Sequence, residues 1–361
     1  MGLYYGDYLK LDKILSSQIR ESELKGKPAH DEMLFIVIHQ TYELWFKQIL
    51  FEIDSIIELM TSAPLPAENL SIIRRRLNRV NEILKILVNQ LTVMETMTSL
   101  DFMDFRDYLT PASGFQSIQF RILEQRLGLK FNDRLDAEKI VFSVRLSLED
   151  QKKLQEEEKK PSLFEVTDQW LARMPFSEND SWNFWQEYKA AVKLMLEEDK
   201  NTINQNSTLN DHSKKLELKN LDATEESFKA LFEQETYEIL YQKKQIKFSY
   251  QAWRNALFIN LYRDWPMMNE PFHLLTLLTD LDEHLTTWRN RHAMMAHRLL
   301  GTKIGTGGSS GHDYLKKTAD KHRCFQDLFN LATFLIPRSK LPKLPLHVKK
   351  ELTFGIEHEQ L

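Results

Sequence analysis

The stretch Thr286–Gly311, TTWRNRHAMMAHRLLGTKIGTGGSSG, decides how the rest of the chain is read. It closes a long apolar-periodic segment and stops at a glycine run. Upstream of it, Leu275, Leu278, Leu281, Leu285 and Trp288 recur at helical spacing from Phe272 onward. Asn269 supplies an N-cap, and Pro271 falls in the first turn, where a missing N–H costs nothing. Gly301 stands where a left-handed C-cap would follow Leu300. The spacing therefore predicts one helix from Asn269 to Leu300, roughly 45 Å long.

His292 lies on the apolar face of that helix, one turn after Trp288 and one turn before Ala296. A lone imidazole in such a place is ordinarily a core histidine with a satisfied hydrogen bond. Its neighbours Ala293, Met294, Met295 and Ala296 are small or soft, however, which leaves room for something flat and large. Five of the eleven glycines then fall between Gly301 and Gly311. Backbone of that kind permits close approach, and its successive N–H groups form an anion-binding nest. It is not a dinucleotide fingerprint, because position 310 is Ser and no strand precedes it. Nor is it a P-loop, since no Gly-Lys-Ser/Thr closes it.

Glycine and proline are scarce, at eleven each in 361 residues, and Val/Ile/Thr alternation is nearly absent. That composition predicts an all-α fold, a helical bundle. An apolar fraction of 42% suffices for a core, and a net charge of −4 without basic clusters argues against nucleic acid. No apolar run approaches the roughly 18 residues of a membrane span, and neither a signal peptide nor a myristoylation pattern is expected. The single cysteine, Cys324, excludes an internal disulfide and a CxxCH attachment, and suggests a reducing, cytoplasmic setting. The eleven histidines form no HExxH and no i,i+4 pair, which makes a zinc site an unlikely use for them.

Two further stretches carry chemistry. In HDEMLFIVIHQTYELWFKQILFEIDSIIELM, residues 30–60, Phe35, Ile38, His39, Tyr42, Phe46, Ile49 and Ile53 share one helical face. His39 then sits among aromatics and must find a partner or stay neutral. In LDFMDFRDYLTPASGFQSIQFR, residues 100–121, Arg106 is flanked by Phe102, Phe105 and Leu109. A guanidinium among aromatics awaits a carboxylate, either from a ligand or from Asp104 or Asp107. The following PASG breaks the helix, and Ser113 is positioned to cap the next one. Residues 66–98 read as another long helix. Residues 145–240 turn charge-rich and read as a helical insertion with a mobile loop near 199–213. The tyrosine-rich start, residues 4–14, reads either as ordinary packing or as an arm that closes a pocket on another subunit. Residues 1–30 are thus expected as an arm and 31–361 as one catalytic domain.

Together, HDEMLFIVIHQTYELWFKQ, DFMDFRDYLTPASGFQSIQFR and WRNRHAMMAHRLLGTKIGTGGSSG resemble the tryptophan 2,3-dioxygenase family, as do YGDYLKLDKIL and FQDLFNLATFLIPR. The resemblance runs from Tyr5 to about Pro342 and is weakest in the insertion. It implies non-covalent haem b, ferrous in the active form, with His292 as the axial iron ligand and Trp288, Ser113 and Arg121 also at the haem. It implies that His39 hydrogen-bonds the indole N–H of L-tryptophan and that the turn Phe35, Ile36, Val37, Ile38, His39 lines the substrate together with Phe102. Arg106 would fork onto the substrate carboxylate, and Thr306 would meet its amino-acid end. Tyr5, Tyr8 and Leu9 would reach a neighbouring subunit's pocket in a homotetramer, a dimer of arm-swapped dimers. The implied reaction joins O2 to tryptophan and gives N-formyl-L-kynurenine, the first step of the kynurenine pathway. The chain departs from family patterns at Phe102, where some relatives have Tyr, and at His312, where Tyr is frequent. Two other classes fit the residues alone: a haem and tryptophan sensor without turnover, and a helical scaffold whose histidines are structural.

Overall fold

A computed structural model describes residues 2–134, 144–174, 178–179, 182–301 and 321–353. The fold is all-α. Among the described residues the only β structure is a pair of two-residue strands, Glu178–Asn179 antiparallel to Trp182–Asn183. The chain packs as two compact units, and three of the breaks between them fall inside long helices.

The first unit gathers Met1–Glu58, Arg75–Leu163 and Asp280–Cys324. It begins with three short helices, α1 (Tyr5–Leu9), α2 (Leu11–Leu15) and α3 (Glu21–Leu24). Next come α4 (Glu32–Met60), α5 (Ala67–Met94), α6 (Ser99–Arg106), α7 (Ile118–Leu127) and α8 (Leu148–Glu157). Buried Ile38, Tyr42, Phe46, Ile49 and Ile53 repeat every three or four residues along α4, and Leu77, Val80, Leu84, Leu87 and Leu91 do the same along α5. The Tyr42 hydroxyl donates to the Leu87 carbonyl at 2.7 Å and ties the two helices. The buried Glu32 carboxylate accepts the backbone N–H groups of Glu21 and Ser22 at 2.8 and 3.0 Å, which fixes α3 to the start of α4. A capping box between Thr98 and Asp101 starts α6. Ser117 caps α7, and Gly128 at φ 126° ends it.

The second unit comprises Leu59–Arg74, Phe164–Thr279 and Phe325–Leu361. It carries most of α9 (Leu163–Ala172), with α10 (Phe184–Gln205), α11 (Asp211–Phe232), α12 (Gln234–Gln242) and α13 (Tyr250–Leu261). Its core is aromatic: Phe184 stacks on Tyr188 at 5.2 Å and meets Phe258 edge-on at 5.0 Å. The helical reading of the charge-rich stretch holds, but the loop expected near 199–213 is smaller. Helix α10 runs on to Gln205, and Asn210 caps α11 by accepting from Ser213 N at 2.8 Å. The polar run DKNTINQ is the solvated end of a helix whose buried face ended at Leu196.

The helix α14 spans Pro266–Leu300 and contributes to both units. It starts three residues before Asn269, because Trp265 opens the ladder: its carbonyl accepts the N–H groups of Met268 and Asn269 at 2.9 and 3.1 Å. Pro266, not Pro271, therefore takes the first helical position, and Pro271 lies buried inside the helix. The far end is as expected: Gly301 has φ 59° and bonds to the His297 carbonyl at 2.7 Å.

Candidate functional site

All the geometry that follows belongs to the first unit. Phe35, His39 and Glu43 follow one another at one-turn intervals on α4. The Phe35 ring lies 4.1 Å from the His39 ring, and 5.7 and 5.6 Å from Phe102 and Phe105 on α6. His39 Nδ1 is 2.7 Å from the Phe35 carbonyl oxygen. A carbonyl only accepts, so Nδ1 must carry the hydrogen, and Nε2 of the neutral ring is left as a bare acceptor.

The sequence placed His39 on a buried stripe. Its ring is instead accessible, because it lies about 100° around the helix from buried Ile38. Yet burial by the surrounding protein pushes its pKa below 6.5, while the Phe35 carbonyl and Glu43 oppose the shift.

His292 on α14 is half-buried, and its pKa is lowered to about 4, first by burial and then by the charge His39 would carry. The two imidazoles are near enough that a charge on His39 would discourage protonation of His292. Trp288 stacks on His292 with ring centres 5.4 Å apart and planes 9° from parallel. Phe120, Tyr42 and Phe46 surround Trp288 at 5.1, 6.0 and 6.3 Å. Burial raises the Tyr42 hydroxyl to about 12, so it stays protonated as a donor.

The buried Trp288 Nε1 has no hydrogen-bond partner among the described residues; the Tyr42 hydroxyl lies close, but not in hydrogen-bond geometry. Among the described residues, neither ring nitrogen of His292 is hydrogen-bonded. A neutral imidazole with a free lone pair, beside an orphaned indole N–H and a wall of aromatic rings, fits the demands of an axially ligated macrocycle.

Arg106 closes α6, half-buried, in the turn after Phe102 and directly after Phe105. Ser113 caps a short 3-10 turn, Gly114–Gln116, rather than α7, with Gln116 completing a capping box. Arg121 is buried on α7, 3.0 Å from Glu124 and 5.7 and 5.5 Å from the Phe115 and Phe120 rings. Ile36 is half-buried, Val37 is 43% exposed and Ile38 is 4% exposed. One helical turn cannot aim all five residues from Phe35 to His39 the same way. Tyr5, Tyr8 and Leu9 stand at the surface, 71, 68 and 37% exposed. Thr306, with the glycine run and His312, lies outside the described residues.

Sequence reasoning missed Glu124. Its buried carboxylate meets Arg134 at 2.7 Å, Arg121 and Arg289 at 3.0 Å, and His322 Nδ1 at 3.6 Å. Burial alone would raise its pKa, but Arg134, Arg121, His322 and Arg289 together hold it well below the usual carboxylate range. Arg289, next to Trp288, also donates to the His322 carbonyl at 3.0 Å. Glu124 thereby fastens α7 to the part of α14 that carries His292. The only hint in the sequence was the i,i+3 pair Arg121 and Glu124, because the other partners are far along the chain.

The family model described as Tryptophan 2,3-dioxygenase matches residues 1–335. The chain is 50% identical over 354 residues to a tryptophan 2,3-dioxygenase of Alteromonas mediterranea, covering 98% of each. It is 47% identical to that of Dictyostelium discoideum, covering 98% of this chain and 89% of the relative. It is also 45% identical to tryptophan 2,3-dioxygenase B of Danio rerio, covering 97% and 86%.

Proposed function

The chain belongs to the tryptophan 2,3-dioxygenase family, and from that premise we propose how its residues open the indole C2–C3 bond of L-tryptophan with O2 to give N-formyl-L-kynurenine. The observation that carries the reading is the contrast between the two imidazoles. His39 has its tautomer fixed by Phe35, whereas His292 keeps a lone pair unengaged among the described residues.

Haem b held by His292 would supply the activation of O2. Trp288 braces the His292 ring from one face, and its indole N–H, with Ser113 and Arg121, would meet the macrocycle's polar edge. His39 presents its bare Nε2 to the indole N–H and turns the ring system into register. It orients and polarises that bond rather than removing the proton, because an indole N–H is far too weak an acid for imidazole to deprotonate. Phe35 and Phe102 cover the indole and exclude water. Arg106 grips the carboxylate through its planar fork, each charge-assisted bond contributing about 1.5–3 kcal/mol, and Thr306 takes the amino-acid end.

We place the protein in the cytoplasm as a homotetramer. Cys324, buried and in no disulfide, suits a reducing compartment, and among the described residues no helix is long and apolar enough to cross a membrane. The exposed tyrosines of α1 suit an arm that docks on another copy. Met33, Val37, Leu44 and Phe51 form an exposed apolar stripe on α4, at 40, 43, 55 and 72%, that a second copy would cover. The test is direct: haem-loaded protein with L-tryptophan, ascorbate and air should develop the absorbance of N-formylkynurenine. An intact Soret band that responds to tryptophan without product would instead make the chain a sensor.

A further inference from the structure

Helix α4 holds both ends of one irregular segment, and His39 stands between the two grips. At one end, Phe35 packs on Phe102 and Phe105, just before Arg106. At the other, the Glu43 carboxylate accepts from Ser117 Oγ at 2.5 Å and from Gln119 Nε2 at 2.9 Å. The Gln119 amide also donates to the Glu43 backbone carbonyl at 2.9 Å. Between the grips, residues 107–116 form only two 3-10 turns, Asp107–Leu109 and Gly114–Gln116. Gln116 stiffens the second turn by accepting Ser113 N at 3.0 Å and donating to the Arg145 carbonyl at 3.2 Å.

We infer that Glu43 is a positioning residue for stereospecificity: by clamping Ser117 and Gln119 to the helix that carries His39, it fixes the separation of His39 and Arg106, and with it the choice between L- and D-tryptophan. This rests on the functional reading above, in which His39 takes the indole N–H and Arg106 the carboxylate. When those two anchors are fixed, only one arrangement at the α-carbon brings the ammonium to its own contact. When they can shift, the mirror arrangement satisfies both. Glu43 is suited to the task because both donors meet a carboxylate, and hydrogen bonds to a charged acceptor are the stronger and more directional kind. It is placed for it because residues 35, 39 and 43 follow at one-turn intervals, so the grips straddle the imidazole symmetrically.

The experiment compares L- and D-tryptophan on haem-loaded protein, by kcat/KM and by calorimetric Kd, for the parent, Glu43→Ala, Glu43→Gln and the double variant Ser117→Ala/Gln119→Ala. The L/D ratio should fall about tenfold in Glu43→Ala and in the double variant, since misplacement of about 1 Å costs up to a hundredfold. Glu43→Gln keeps one acceptor oxygen for the Gln119 amide, and the Ser117 hydroxyl can turn to accept from the new NH2, so with weaker, neutral hydrogen bonds its ratio should fall by less than that of Glu43→Ala; a fall as large as that of Glu43→Ala would show that the charge itself sets the clamp. General destabilisation lowers both isomers' constants together and leaves the ratio alone. An unchanged ratio in Glu43→Ala therefore overturns the inference, and if that variant does not fold, the double variant decides by the same criterion. A parent that binds tryptophan without oxidising it would refute the functional reading instead, and the affinity ratio would still decide the role of Glu43.

Discussion

Helices α4 and α14 use the same side chain in opposite ways. On α4, His39 is committed: its Nδ1 is held at 2.7 Å by a carbonyl of its own helix, and its ring is open to whatever enters. On α14, His292 is uncommitted among the described residues but braced, stacked on Trp288 and kept neutral down to about pH 4. A hydrogen bond fixes which atom His39 offers, whereas aromatic packing fixes where the His292 ring lies and leaves its lone pair unengaged among the described residues. On the proposed function, the immediate partners of each imidazole, more than its burial, suit His39 to reading a substrate and His292 to holding a cofactor.

The comparison breaks most visibly at His292. Replacing it with Ala should abolish dioxygenase turnover, while His39→Ala should only slow it, by about ten- to a hundredfold, because orientation is lost but the ligand is kept. Complete loss in His39→Ala with haem retained would make His39 an obligatory base. Glu124→Gln should destabilise the fold by about 3–5 kcal/mol in urea unfolding, since it removes the charge that three buried guanidinium groups share. Arg106→Leu should weaken L-tryptophan binding by about ten- to a hundredfold, read by calorimetry; normal binding would remove the carboxylate clamp.

The smallest effects are those of pH. His39 must be neutral to accept the indole N–H, and burial lowers its pKa, so the acid limb of kcat/KM should lie below pH 6.5. A limb above that value would mean that His39 does not control it. Glu124 works in the other sense for stability. Its folded pKa is depressed, so the unfolded chain binds the proton first. Its contribution is then complete above the ordinary carboxylate pKa of 4.5 and is lost as pH falls through the folded value. Glu124→Gln should accordingly flatten the acid side of the stability curve.

Much of this was legible in the residues. Helices α4, α5 and α14 announce themselves through apolar spacing, and Gly301 through its place after Leu300. His39, Arg106 and His292 stood out as polar groups on apolar faces. The start of α14 was misread because Asn269 and Pro271 make a plausible cap, and only the backbone bonds to Trp265 reveal the true one. The loop near 199–213 was overdrawn because polar composition does not separate a solvated helix face from a loop. The His39 tautomer could not be read at all, since it depends on a 2.7 Å contact with a backbone atom. The same holds for Glu124, whose partners Arg289 and His322 come from distant stretches, and for Glu43, whose donors come from α7 and its cap.

The division of labour between the two imidazoles is tested most directly by one spectrum taken on two proteins. His39→Ala and His292→Ala, each reconstituted with haem, should differ in the Soret region. The first should keep the parent's band, and the second should lose it or shift it to that of haem without its axial imidazole. Equal bands in the two variants would contradict the account, because His292 would then hold no iron.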